Sequence, residues 1–136
     1  MKDLTTTALR YQNGALQVLD QRRLPGEEHW HQCKDDADLV ALIQGLAIRG
    51  APLIGVAAAL WVGHCADRGD DLQKLTETIS LLRTSRPTAV NLMNDLDRLQ
   101  QRIDQGTDRS ALVDEAVAIF AEDLALCLAM SEHGAA

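Results

Sequence analysis

Two arginines stand just ahead of helix starts, in surroundings suited to capturing an anion. In Arg49-Gly50-Ala51-Pro52-Leu53-Ile54-Gly55-Val56-Ala57-Ala58-Ala59-Leu60, a cation and a glycine precede a long apolar run. Pro52 fits a first helical turn, where its missing N–H has no intrahelical partner and its φ is already helical. A helix start carries unpaired N–H donors and about half a positive charge, which favours anions. The guanidinium of Arg49 adds a planar, two-pronged donor for phosphate or carboxylate. A second corner of the same kind follows at Arg86-Pro87. If the two helix starts converge, two guanidinium groups and two sets of free N–H donors surround one anion. The alternative is that each arginine caps or pairs locally.

Other combinations offer less. Gly50 and Gly55 make no Walker loop, because no Lys-Ser/Thr follows them. His29 and His31 share a strand face without a third ligand nearby, which suggests a partly exposed pair and no metal site. His64 and Cys65 are adjacent on a helix and diverge by about 100°, so His64 cannot easily activate the thiol. Cys33, Cys65 and Cys127 are odd in number, far apart and without a C-x-x-C pair. They read as small core residues in a reduced, cytoplasmic setting, with neither a disulfide framework nor a zinc site. Asp35, Asp36, Asp70 and Asp71 read as helix caps, and Asp95 and Asp97 as a solvated face. Asn91, one turn into its helix, can reach a ligand at that helix start or serve as an exposed or capping residue. No acid/base pair emerges, and no catalytic residue, metal or cofactor is assigned.

The 136 residues suit one domain, able to bury roughly two-thirds of its unfolded surface. A hydrophobic fraction of 46% excludes disorder, and only 3% aromatics point to a helical core of aliphatic and small side chains. The formal charge of −7 repels nucleic acid and anionic membrane, and no basic run offsets it. A phosphorylated ligand is repelled at long range too, so its site must reverse the sign locally. The N-terminus lacks the apolar region of a signal peptide. The longest uncharged run, 50–66, falls short of the roughly 20 strongly apolar residues that span a bilayer.

The elements that must hold these residues are legible from periodicity. Leu9 to Gln12 and Leu16 to Asp20 flank Asn13-Gly14, a strong hairpin signal. After the turn at Pro25-Gly26, a third strand over Glu28 to Cys33 closes a small antiparallel sheet. From Asp35 the period becomes 3.6, with Leu39, Leu42, Ile43 and Leu46 forming one stripe. A central helix follows from about Pro52 to Arg68, with Gly55, Ala58, Ala59 and Gly63 allowing close approach of another backbone. A third helix carries Leu72, Leu75, Ile79 and Leu82. A fourth, started by Pro87, carries Leu92, Leu96, Leu99 and Ile103. After Gly106-Thr107-Asp108, the last helix buries Val113, Ala116, Val117, Phe120, Leu124 and Cys127 and runs to about Ser131. The fold class is α+β, mainly α: a small N-terminal antiparallel sheet (1–34) followed by a bundle of about five helices (35–136).

Arg49-Gly50-Ala51-Pro52 with Ile54-Gly55-Val56-Ala57-Ala58, and Ser85-Arg86-Pro87-Thr88-Ala89-Val90-Asn91-Leu92, resemble the methylthioribose-1-phosphate isomerase family. Leu19-Asp20-Gln21-Arg22-Arg23-Leu24-Pro25 and Glu132-His133-Gly134-Ala135 resemble it as well. The same superfamily includes ribose-1,5-bisphosphate isomerase and the regulatory subunits of translation initiation factor 2B. The resemblance implies an aldose–ketose isomerase of methionine salvage, converting 5-methylthioribose 1-phosphate to 5-methylthioribulose 1-phosphate. It implies that Arg49, Gly50, Ala51 and Arg86 bind the phosphorylated pentose. It also implies a Rossmann-like C-terminal domain that supplies the catalytic cysteine and aspartate and lies outside this chain. The expectation is therefore an inactive N-terminal part, completed by its missing domain or by a second chain, and able to self-associate. A regulatory or interaction subunit is the rival expectation.

Overall fold

The structure, a computed structural model, describes residues 4–5, 9–12, 14–20, 26, 29–45, 51–86, 89–106 and 108–134, with the backbone alone at 51–52 and 126–134. A four-stranded antiparallel sheet in the order β1-β2-β3-β4 is followed by five helices. The strands are β1 (Leu4–Thr5), β2 (Leu9–Gln12), β3 (Ala15–Leu19) and β4 (Trp30–Cys33). The helices are α1 (Asp36–Gln44), α2 (Ala51–Asp67), α3 (Leu72–Ser85), α4 (Val90–Asp104) and α5 (Arg109–Gly134). The α+β, mainly α architecture is the expected one. The added strand is β1, which at two residues is too short to show an alternation.

The hairpin forms where Asn13-Gly14 requires it. Gln12 pairs with Ala15, and Gly14 takes a φ of 74°, the left-handed conformation that two-residue turns need. Asn13 lies outside the described residues. Alternation then puts Leu9, Tyr11, Leu16, Val18 and Cys33 on the buried face. Asp20 continues the Leu16, Val18 series onto that face and is fully buried, its carboxylate accepting a 3.0 Å hydrogen bond from His31 Nε2.

The core is organised around α2, from which Ile54 to Val62 are buried on all sides. A helix apolar all round has no solvent face and belongs at the centre. The sheet is fastened to it by the Tyr11 hydroxyl, 2.7 Å from His64 Nδ1. Two side-chain caps fall where expected: Asp35 accepts from the Asp38 N–H that opens α1, and Asp71 from the Lys74 N–H in α3. The stripes of α1, α3 and α4 bury Leu39, Leu42 and Ile43, then Leu75, Ile79 and Leu82, then Leu92, Leu96 and Leu99; Leu46 lies outside the described residues. In α5 the buried face is Leu112, Ala116, Ile119 and Phe120, rotated from the expected one. Val113 and Val117 are only partly buried and Leu124 is exposed. Both sets satisfy helical spacing, and the packing of α5 on α2 selects between them.

Candidate functional site: the starts of helices α2 and α4

Of the four predicted binding residues, Arg49 and Gly50 lie outside the described residues. Ala51 is the first residue of α2, with Pro52 second, as a proline suited to the first turn should be. Arg86 has moved relative to expectation. It caps the C-terminus of α3, and α4 begins at Val90, not at Pro87, which lies with Thr88 outside the described residues. The Ala89 N–H donates to the Arg86 carbonyl over 3.0 Å, so Arg86 opens a tight turn between the two helices.

The convergence of helix starts rests on Gly55. A Cβ built there would overlap the Asp95 carboxylate and sit 2.9 Å from the Asn91 carbonyl oxygen. The first turns of α4 therefore press directly on the backbone of α2, four residues after its start. At a rise of 1.5 Å per residue that is about 6 Å along the axis from Ala51. At Gly55, the small-residue face read from the sequence thus meets the backbone of α4.

Arg86 is half-buried, and its guanidinium meets no partner among the described residues, whereas every other described arginine side chain has one. Arg68 holds Asp70, Arg83 holds Asp97, and Arg98 bridges Glu115 and Glu122. Arg102 lies 3.5 Å from Glu115, Arg109 donates to the Gly69 carbonyl, and Arg10 covers the Trp30 ring at 3.9 Å. In a chain of net charge −7, Arg86 carries a half-buried guanidinium with no carboxylate partner among the described residues.

Between α2, α4 and α5, a cleft of about 160 Å³ is lined by Val56, Asn91, Asp95, Arg98, Ile119, Glu122 and Asp123. Asp95 does not lie on a solvated face as expected; it is half-buried against Gly55. Burial pushes its carboxyl up to about 6, and the charges of Asp123 and Glu122 add to the shift while Arg98 opposes it. Sequence periodicity could not have found it, since Asp95 adjoins the Leu92/Leu96 stripe and only the close approach at Gly55 brings it inside.

The remaining candidates resolve as structure. Cys33 and Cys65 are buried free thiols, each pushed up to about 12 by burial, and are therefore poor nucleophiles. Cys127 has no described side chain. His31 is engaged by Asp20, while His29 lies outside β4, and no group of three or more potential metal ligands forms among the described residues. No described helix is long and apolar enough to cross a membrane.

Residues 47–136, which include both arginine motifs, match the Initiation factor 2 subunit family. The chain belongs to that family. It is 45% identical over 134 residues to a methylthioribose-1-phosphate isomerase of Yersinia pestis, and 43% identical over 135 residues to one of Serratia proteamaculans. These alignments take in 98% and 99% of this chain but only 39% and 40% of the relatives, so the chain spans about two-fifths of their length. The fold resembles the crystal structure of 5-methylthioribose 1-phosphate isomerase from Pyrococcus horikoshii, with a TM-score of 0.76 and 25% identity over 85% of this chain and 36% of that one. It also resembles subunit delta of translation initiation factor eIF-2B from A. fulgidus, with a TM-score of 0.68 and 28% identity over 89% and 37%.

Proposed function

We propose that this chain is the N-terminal, substrate-binding part of an aldose–ketose isomerase that converts 5-methylthioribose 1-phosphate to 5-methylthioribulose 1-phosphate in methionine salvage. The observation that carries the reading is the 45% identity to such isomerases along nearly the whole chain. Residues 1–34 form the small sheet and residues 35–136 the helical bundle of one domain. The phosphate is held by Arg49 and Arg86, with the backbone of Gly50 and Ala51 at the start of α2. The uncommitted guanidinium of Arg86 and the convergence of α2 and α4 support that assignment.

The groups that shift hydrogen between the sugar carbons belong to a further domain, or to a second chain, and the 136-residue protein alone is inactive. Its buried thiols support this, being far from the reactive range. The setting is cytoplasmic, where such thiols stay reduced. Titration of the protein with 5-methylthioribose 1-phosphate, followed by NMR, is expected to show binding that Arg86→Ala weakens at least tenfold. Unchanged binding in that variant would overturn the site, and turnover by the purified 136-residue protein would overturn the inactivity.

A second reading, an interaction subunit, is favoured by the likeness to the eIF-2B delta subunit. Capture of a stoichiometric protein partner, without any sugar-phosphate binding, would select it. A ribose-1,5-bisphosphate isomerase-like activity shares the anion corner and differs in the ligand's second phosphate.

A further inference from the structure

The outer edge of the sheet leaves backbone groups of β4 without a strand to meet. β4 pairs with β3 alone, at the end of the order β1-β2-β3-β4. The Asp20 N–H donates to the His29 carbonyl over 2.7 Å, and antiparallel alternation makes Val18–His31 and Leu16–Cys33 the next hydrogen-bonded pairs. The N–H and C=O groups of Trp30 and Gln32 therefore point away from β3, and they meet no partner among the described residues. An exposed edge is usually guarded by a charge, a proline or a bulge. Trp30-His31-Gln32-Cys33 contains no lysine, arginine, carboxylate or proline, and its register with β3 is unbroken. The open stretch stops at Lys34, whose N–H donates to the Asp38 carboxylate over 2.9 Å. Alongside lies a cleft of about 470 Å³, lined by His31, Gln32 and Lys34 and by Asp38, Ala41 and Leu42 of α1. His31 and Gln32 send their side chains to opposite faces of the sheet, so a cleft touching both runs along the strand's edge. Asp38, Ala41 and Leu42 are spaced i, i+3, i+4 and share one face of α1. An open strand edge opposite a helix face is a groove in which an extended segment can be held as an added strand.

We infer that the groove between β4 and α1 is a docking site for an extended peptide, which adds to β4 as an antiparallel strand and presents a carboxylate to Lys34. Antiparallel pairing is the slightly more stable of the two and uses every outward donor and acceptor of Trp30 and Gln32. Alternation then fixes the peptide's chemistry. The residue opposite His31 shares its face, the helix side, and is apolar so as to lie against Ala41 and Leu42. The residue opposite Lys34 is acidic, because the exposed Lys34 ammonium has no ionic partner among the described residues. A second copy of β4 is the poorer occupant, since two chains of net charge −7 repel each other.

The test titrates the 136-residue protein with the peptide acetyl-Glu-Val-Thr-Val-Tyr-amide, followed by NMR. In antiparallel pairing its Glu lies opposite Lys34 and its second Val opposite His31. Hydrogen exchange at the Trp30 and Gln32 amides should slow on binding, while His31 and Cys33, already bonded to β3, change little. Gln32→Pro removes one outward donor at an edge where proline is tolerated, and should weaken binding about tenfold. Lys34→Glu should weaken it at least about twofold, and a peptide with Lys in place of its Glu should then bind that variant better than the original does. Absence of peptide binding in the wild type overturns the inference. So does binding that protects amides elsewhere, or binding indifferent to both variants. A shift of the Trp30 and Gln32 amides that depends on protein concentration, without peptide, would assign the edge to a second copy and overturn the peptide as its occupant.

Discussion

Asp36 joins three helices through one carboxylate. It accepts from Trp61 Nε1 of α2 over 2.7 Å, and from Thr78 Oγ1 and Lys74 Nζ of α3 over 3.0 and 3.2 Å. Burial acts to raise its pKa, but those hydrogen bonds and the Lys74 charge outweigh it, and the net shift is downward. A depressed acid contributes stability above its unfolded pKa and loses it as pH falls through the folded value. Asp36→Asn is therefore expected to cost about 1–3 kcal/mol at neutral pH, and less once the pH drops below about 4, as urea midpoints will show. Asp95 has the opposite sign. Its folded pKa is raised to about 6 by burial, so its favourable contribution is complete below about pH 4 and lost as pH rises through 6. Asp95→Asn should raise the urea midpoint at pH near 8, by up to about 3 kcal/mol in stability, and do little near pH 4. Arg86, whose side chain has no partner among the described residues, should be replaceable by Ala within about 0.5 kcal/mol.

At the scale of elements, the contact of α2 with α4 leaves no room for a side chain at Gly55. Gly55→Ala places a methyl group into the Asp95 carboxylate and against the Asn91 carbonyl. It should destabilise by about 1–3 kcal/mol. Combining it with Asp95→Ala relieves the side-chain overlap but not the backbone contact, so a double-mutant cycle should show partial recovery. Full additivity would mean the two residues do not meet. This contact also marks what a sequence reveals. The caps Asp35 and Asp71 and the stripes of α1, α3 and α4 were legible because each depends on local spacing. The buried face of α5, the inward turn of Asp95 and the Asp20–His31 pair were not, because each is decided by an element far along the chain. Asp20 did carry one signal, as the next member of the Leu16, Val18 series, yet a carboxylate on an apolar face looks like the strand's end until its imidazole partner is seen.

For the whole molecule, the arrangement of charge bears on how an acidic chain could hold the anion proposed above. Most described cations are paired with nearby carboxylates, and the Arg86 guanidinium is an exception among the described residues. The candidate site was half legible in the sequence: the residue types and the helix starts were, while the lack of a partner for the Arg86 guanidinium among the described residues and the inward turn of Asp95 depended on tertiary packing. The sheet and the bundle also contain one tryptophan each, in contrasting surroundings. Trp61 is fully buried, its indole N–H tied to Asp36, whereas Trp30 lies half-exposed on the outer face of the sheet beneath Arg10. The protein therefore has two built-in optical probes. With Trp30→Phe, the remaining emission should be blue-shifted and shielded from acrylamide, reporting on the bundle alone. With Trp61→Phe, quenching should be easy and follow the sheet. Coincident denaturation curves from the two variants would show that sheet and bundle melt as one cooperative unit, with the Tyr11–His64 contact as the stitch between them.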